Sequence, residues 1–151
     1  MKIINIDIEK EKILQDISLN SAYAGAKSPG EKDIFERVAT VNEDSGILSG
    51  FFSEMCGSIL EKFSGNVASS SLTESRFSLV LEVSGSFDES LSESLVNDIT
   101  AYMSAGVTAR WFQITLAEKA VEWDAKANLL LQRAFAKICQ RKRPQRPQTI
   151  S

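Results

Sequence analysis

The stretch SLSESLVNDITAYMSAGVTARWFQITLAEKAVEWDAKANLLLQRAFAKICQRKRPQRP, residues 90–147, decides the fold. In its first half Leu91, Leu95, Ile99, Tyr102, Met103, Val107, Trp111 and Ile114 recur at three- and four-residue steps, which sets them on one face of an α-helix. That face has to be buried. Ser90-Leu-Ser-Glu93 and Thr115-Leu-Ala-Glu118 repeat one pattern, a hydroxyl that can cap free N–H groups and a glutamate three residues on that can reach back to it. The repeat predicts a break near Thr115 and two long helices in tandem. Beyond it Ala120, Trp123, Ala127, Leu130, Leu131, Ala134, Phe135 and Ile138 keep helical spacing until Pro144 and Pro147 forbid more helix. Trp111, Trp123 and Phe135 fall on these apolar faces and are read as core or interface anchors, not as ligand platforms.

Working outward, Asp88, Glu89 and Glu93 place negative charge at the positive end of the long helix. Before them Phe77, Leu79, Leu81 and Val83 alternate with Ser78, Val80 and Glu82, the strongest strand signal in the chain. Near the start Ile4, Ile6 and Ile8 alternate with Asn5 and Asp7, a second strand, and Glu9 to Asn20 then turns to helical spacing through Ile13, Leu14 and Ile17. Ala24 to Gly30 has the chemistry of a loop. A short helical pattern over Glu31 to Val41 leads to Thr40-Val-Asn-Glu43, another capping box, and then to a helix from Asn42 to Phe63 carrying Leu48, Phe51, Phe52, Met55, Ile59 and Leu60. Ser64 to Ser75 is rich in Ser, Gly and Asn and reads as an exposed connection. With two or three strands at most, helices supply most of the core. The predicted fold class is mainly α with a minor β element (α+β), a helical bundle built on the long C-terminal helix pair plus a short β-sheet or hairpin. It is divided as one domain over residues 1–140 and an extended basic tail over 141–151.

At 151 residues and 43% hydrophobic, the chain is long enough to bury a core without staples. Ten of its 17 Lys and Arg and all 20 Asp and Glu precede residue 125; the remaining seven basic residues have no acidic company. The body is therefore acidic and the end basic. Arg141, Lys142, Arg143 and Arg146 form the strongest polar feature and are read as a partner-binding segment. The seven residues to Pro147 span about 20 Å if extended, at roughly 3.1 Å per residue. Such a run can dock on an acidic protein surface or on nucleic-acid phosphates, although it lacks the aromatic residues that stack on bases.

Histidine is absent, which removes the commonest general base and metal ligand together. Gly46-Ile-Leu-Ser-Gly50 has the wrong spacing for a nucleophile elbow, and Gly25 and Gly30 close no phosphate loop. The two cysteines, Cys56 and Cys139, lie in apolar helical patterns without a CxxC motif and are expected buried and reduced. No apolar run approaches the roughly 18 to 20 residues that span a bilayer, so the expectation is a soluble protein inside a cell or in a particle assembled there. No catalytic residue, cofactor or metal is expected, and Asp88, Glu89 and Glu93 are read as helix caps and dipole charges.

Leu81-Glu-Val-Ser-Gly-Ser-Phe-Asp88, Ala109-Arg-Trp-Phe112, Ala117-Glu-Lys-Ala-Val-Glu-Trp123, Lys142-Arg-Pro-Gln-Arg-Pro147 and, near the start, Tyr23-Ala-Gly-Ala-Lys27 resemble small virion proteins from the structural modules of tailed phages and prophages of gut anaerobes. The likeness covers most of the chain. A helical body with a tryptophan near the end of a long helix, a following helix and an arginine-bearing tail is further similar to head-tail connector proteins, neck adaptors that form a ring beneath the portal, commonly of twelve copies. The resemblance implies a non-enzymatic structural protein with portal and tail or neck proteins as partners, and passing contact with packaged DNA. It places the chain in the virion neck, assembled in the host bacterial cytoplasm and away from membranes. A tail-completion or terminator protein is the alternative within the particle. An accessory protein that binds nucleic acid through its tail is the alternative from another class.

Overall fold

The alternating isoleucines near the N-terminus do form a strand, β1 (Lys2–Glu9), with Ile4, Ile6 and Ile8 buried. The structure, a computed structural model, describes residues 1–27 and 44–141, with the side chains of 25–27 excepted. The helical pattern over 31–41, the capping box from Thr40 to Glu43 and Lys142, Arg143 and Arg146 lie outside the described residues. The order is β1, α1 (Lys10–Lys27), α2 (Ser45–Lys62), β2 (Val67–Leu72), β3 (Arg76–Val83), a single 3-10 turn (Glu89–Leu91), α3 (Ser92–Thr115) and α4 (Ala117–Ile138). The fold is mainly α with a minor antiparallel sheet.

The sheet has the order β1-β3-β2, with β3 in the middle and antiparallel to both neighbours. Its inner face is the apolar set predicted from alternation, Ile4, Ile6 and Ile8 beside Phe77, Leu79, Leu81 and Val83. On the outer face Arg76 reaches Asp7 at 2.6 Å and Glu9 at 3.0 Å, and these exposed pairs add register more than stability. Ser64 to Ser75 is not a plain connection: residues 67–72 pair with β3 to make a hairpin closed by Thr73 N–H donating to the Arg76 carbonyl at 2.9 Å. Five of the six β2 residues are exposed, so no apolar alternation betrays the strand.

α3 is the axis of the molecule. Every residue from Tyr102 to Ala109 is buried, because α1, α2, α4 and β1 all pack on it. A helix enclosed on all sides needs small residues where neighbours come close, and Ser104, Ala105, Gly106, Thr108 and Ala109 provide them. Its polar groups are satisfied internally: Thr108 donates to the Ser104 carbonyl at 2.7 Å, Asn20 donates to Thr108 at 3.3 Å, and Ser104 donates to Asp16 at 2.8 Å. Ile114, placed on the buried face by spacing, is 59% exposed.

α4 folds back antiparallel on α3. The turn is one residue, Leu116, with φ −153° and ψ 73° and its side chain buried. The capping box predicted at Thr115 and Glu118 is not what breaks the helix; Thr115 turns its hydroxyl to the Trp111 carbonyl at 2.9 Å. At the other start Asp88, not Ser90, is the cap, accepting from the Ser90 N–H at 3.1 Å and from its hydroxyl at 2.7 Å. α1 also continues through Ala24 to Lys27, where the sequence predicts a loop, and α2 runs Ser45–Lys62, with the expected start at Asn42 outside the described residues.

The α4 seam is narrow. Ala120, Ala127 and Ala134, seven residues apart, are buried with Ile138, and their small side chains let the two helix axes approach closely. Trp111 is buried in the core at 5% exposure. Trp123 is half-buried with its ring 6.2 Å from that of Phe112 and Lys126 above it at 4.7 Å. Phe135, also half-buried, lies 5.8 Å from Phe63 with Lys62 at 4.8 Å. Near the C-terminal end of the seam Lys137 donates to both Asp98 and Ser94, and the Lys137 and Asp98 side chains are only 15% and 11% exposed.

Two measurements check this packing. An ideal Cβ on Gly106 would sit 2.2 Å from the Met55 sulfur, so Gly106→Ala is expected to lower unfolding stability by about 1 to 3 kcal/mol, and the double variant with Met55→Ala to lose less than the sum of the two single variants. Lys137→Met leaves the Asp98 carboxylate buried and unpaired, and denaturant unfolding is expected to show a loss of about 3 kcal/mol.

Candidate functional site

The partner-binding segment predicted from sequence begins at Arg141, and the structure shows where that residue sits. Arg141 makes an antiparallel bridge to Phe87, in the segment that joins β3 to α3. The contact is local and firm: Phe87 is 1% exposed, Lys2 donates to its carbonyl at 3.3 Å, and Arg141 itself donates to the Ile138 carbonyl at 3.4 Å. Lys2 also pairs with Glu89 at 3.1 Å. Arg141 therefore stands close to Asp88 and Glu89, at the acidic start of α3. Of the predicted site residues, Arg141 is on this rim, Trp111 is in the core, and Trp123 and Phe135 line the α4 seam; the four do not converge on one site.

The carboxylates have structural employment. Asp88 caps the 3-10 turn and Glu89 pairs with Lys2, while Glu93 is exposed in the first turn of α3. Among the described residues no three His, Cys, Asp or Glu side chains converge as metal ligands. No helix among them is long and apolar enough to cross a membrane.

An open cleft of about 480 Å³ lies between α2, α3 and α4, with Met55, Ser58, Tyr102, Arg110 and Asp124 among its walls. Burial raises the Tyr102 phenol above its ordinary 10.0, opposed by its hydrogen bond with Ser58 and by the Arg110 charge, and reinforced by Asp124. Burial thus holds the phenol protonated, not prepared as a base. Arg110 is engaged by Glu54 at 3.4 Å. These walls offer hydrogen bonds to a polar surface and no nucleophile with an adjacent base.

The cysteines separate. Both are free; Cys56 is buried in α2 and Cys139 is exposed just beyond α4, which corrects the expectation that both are buried. Cys139 fits the apolar spacing, but α4 ends at Ile138 and the chain turns outward there. Burial pushes the Cys56 thiol from 9.0 up to about 12.

The sequence did not point to the uncovered apolar positions. Val121 is 73% exposed and Leu129 55%, two turns apart on the outer side of α4, and Leu19 on α1 is 71% exposed. Val121 and Leu129 both lie away from the Ala120, Ala127 and Ala134 seam. Comparison of the chain with known protein families, curated proteins and solved structures gives no match.

Because only Cys139 is accessible, a thiol reagent is expected to modify one cysteine per native chain and the second only on unfolding. The raised Cys56 value stabilises the fold fully below pH 9, and that contribution is lost as pH rises towards about 12. Wild type is therefore expected to lose stability relative to Cys56→Val across this range in melts followed by circular dichroism.

Proposed function

We propose that this protein is a non-enzymatic structural component of a tailed-phage virion, a head-tail connector that assembles as a ring between portal and tail. The observation that carries the reading is α4. A helix of 22 residues buries only Ala120, Ala127, Ala134 and Ile138 fully and leaves two large apolar side chains, Val121 and Leu129, exposed on its outer side. A helix with a narrow buried seam and apolar side chains left uncovered opposite it is suited to join copies. Closed rings arise when one surface of each copy meets a different surface of the next. The charge split supports the same reading, since Arg141, Lys142, Arg143 and Arg146 give the chain a basic end that can engage the acidic body of a neighbour or the portal.

Connector and DNA-binding readings give opposite results for one variant. Truncation of residues 142–151, which keeps the Arg141 bridge to Phe87, is expected to leave the circular dichroism melt unchanged while reducing the ring fraction seen by native mass spectrometry and electron microscopy, alone and with the portal. Intact assembly together with lost retention of double-stranded DNA, steeply weakened by salt in the full chain, would assign the tail to nucleic acid instead.

A further inference from the structure

The sheet has two open edges among the described residues, β1 on one side and β2 on the other. The ladder shows which backbone groups these edges present. Thr73 N–H donates to the Arg76 carbonyl, so in the alternating antiparallel pattern Ser71 and Ser69 bond to β3, while Ser70 and Leu72 point their N–H and C=O groups away from it. Lys10 N–H likewise donates to the Ser75 carbonyl at 3.0 Å, so Ile4, Ile6 and Ile8 bond to β3 and Ile3, Asn5, Asp7 and Glu9 face outward.

We propose that the β2 edge receives β1 of a second copy of this chain as a parallel strand, so that the sheet runs on from copy to copy around the ring. Four observations select this occupant. First, β2 is held along one edge and buries almost nothing of itself, and a six-residue strand so placed gains most from a second ladder. Second, residues 67–72 carry neither lysine nor proline, the residues that commonly block an edge; the irregularity between Val67 and Ser69 leaves 69–72 regular. Third, β1 and β2 are each antiparallel to β3 and thus parallel to one another, so a copy shifted along the sheet without being turned over brings its β1 beside β2 with the apolar faces on the same side. Fourth, the register that matches those faces sets Leu72, 49% exposed on the inner side, opposite Ile8. It also sets Glu74 opposite Lys10, an attractive pair, and Ser69 opposite Asn5 on the outer side. Pairing of β2 with β2 would bring together two uncharged strands without that match. Because the two edges differ, the contact is heterologous and can close into a ring.

The inference rests on the ring reading only in taking a second copy as partner, and the test separates the two. Chains carrying Ser69→Cys or Asn5→Cys, each with Cys139→Ser, are oxidised mildly, alone and mixed. Disulfide-linked pairs are expected in the mixture and in neither sample alone. Linked pairs from Ser69→Cys alone would mean two-fold β2 pairing, pairs from Asn5→Cys alone two-fold β1 pairing, and no pairs in any sample an edge left free; each overturns the proposal. Ser70→Pro removes an outward donor and no bond to β3, and is expected to lower the assembled fraction at least tenfold with the melt unchanged. Ser70→Lys, which keeps the backbone donor, is expected to do the same through edge charge. A ring that persists in both folded variants removes this edge and leaves the connector reading standing, whereas a wild-type chain that is monomeric at every concentration removes both.

Discussion

Enclosure of α3 is the constraint on which the rest depends. A helix buried on all sides cannot expose polar groups to water, so its serine and threonines must find partners inside. Thr108 and Ser104 do so through the helix's own carbonyl and through Asn20 and Asp16 of α1. These polar contacts fix the position of α1 along α3 more sharply than apolar packing could. Gly106 does the same for α2, since only the missing Cβ admits Met55. With those two neighbours placed, the sheet covers what remains and α4 needs only a narrow alanine seam.

The strands and helices that could be read from sequence are those in which burial and spacing coincide. β1 and β3 alternate cleanly because one face meets the helices and the other meets water. β2 escaped notice because its serines bury nothing, and its existence depends on hydrogen bonds to β3, which leave no trace in side-chain pattern. α3 was legible as a helix, but the small and polar residues that complete its burial look like a solvated face until the neighbours are in place. The break at Leu116 followed the same logic: its position was legible, and its cause was packing of a buried leucine rather than a hydroxyl cap.

The assembly surfaces were less legible than the fold. Basic charge marks Arg141 as the start of a partner-binding segment, and nothing in the pattern places it against Phe87. Val121 and Leu129 were unremarked because a reading that seeks the buried stripe of a helix treats the opposite face as solvent. Trp123 and Phe135, read as anchors, each combine a ring packed inward with a lysine laid across it, so they seal the edges of the seam rather than fill its centre.

The pairing of β1 with β3 also governs the order in which the molecule can form. Arg76 and Glu9, at the nearer end of that ladder, are 67 residues apart in sequence. On a ribosome the first strand is therefore made long before its partner emerges, and it must wait as an unpaired, isoleucine-rich segment while α1 and α2 are synthesised. The α3 and α4 hairpin, by contrast, needs only its one-residue turn and can close as soon as it clears the exit tunnel. Lys2, Asp7 and Glu9 give that waiting strand charge at both ends, the kind of residue that disfavours pairing between like unfolded segments without preventing the later ladder with β3.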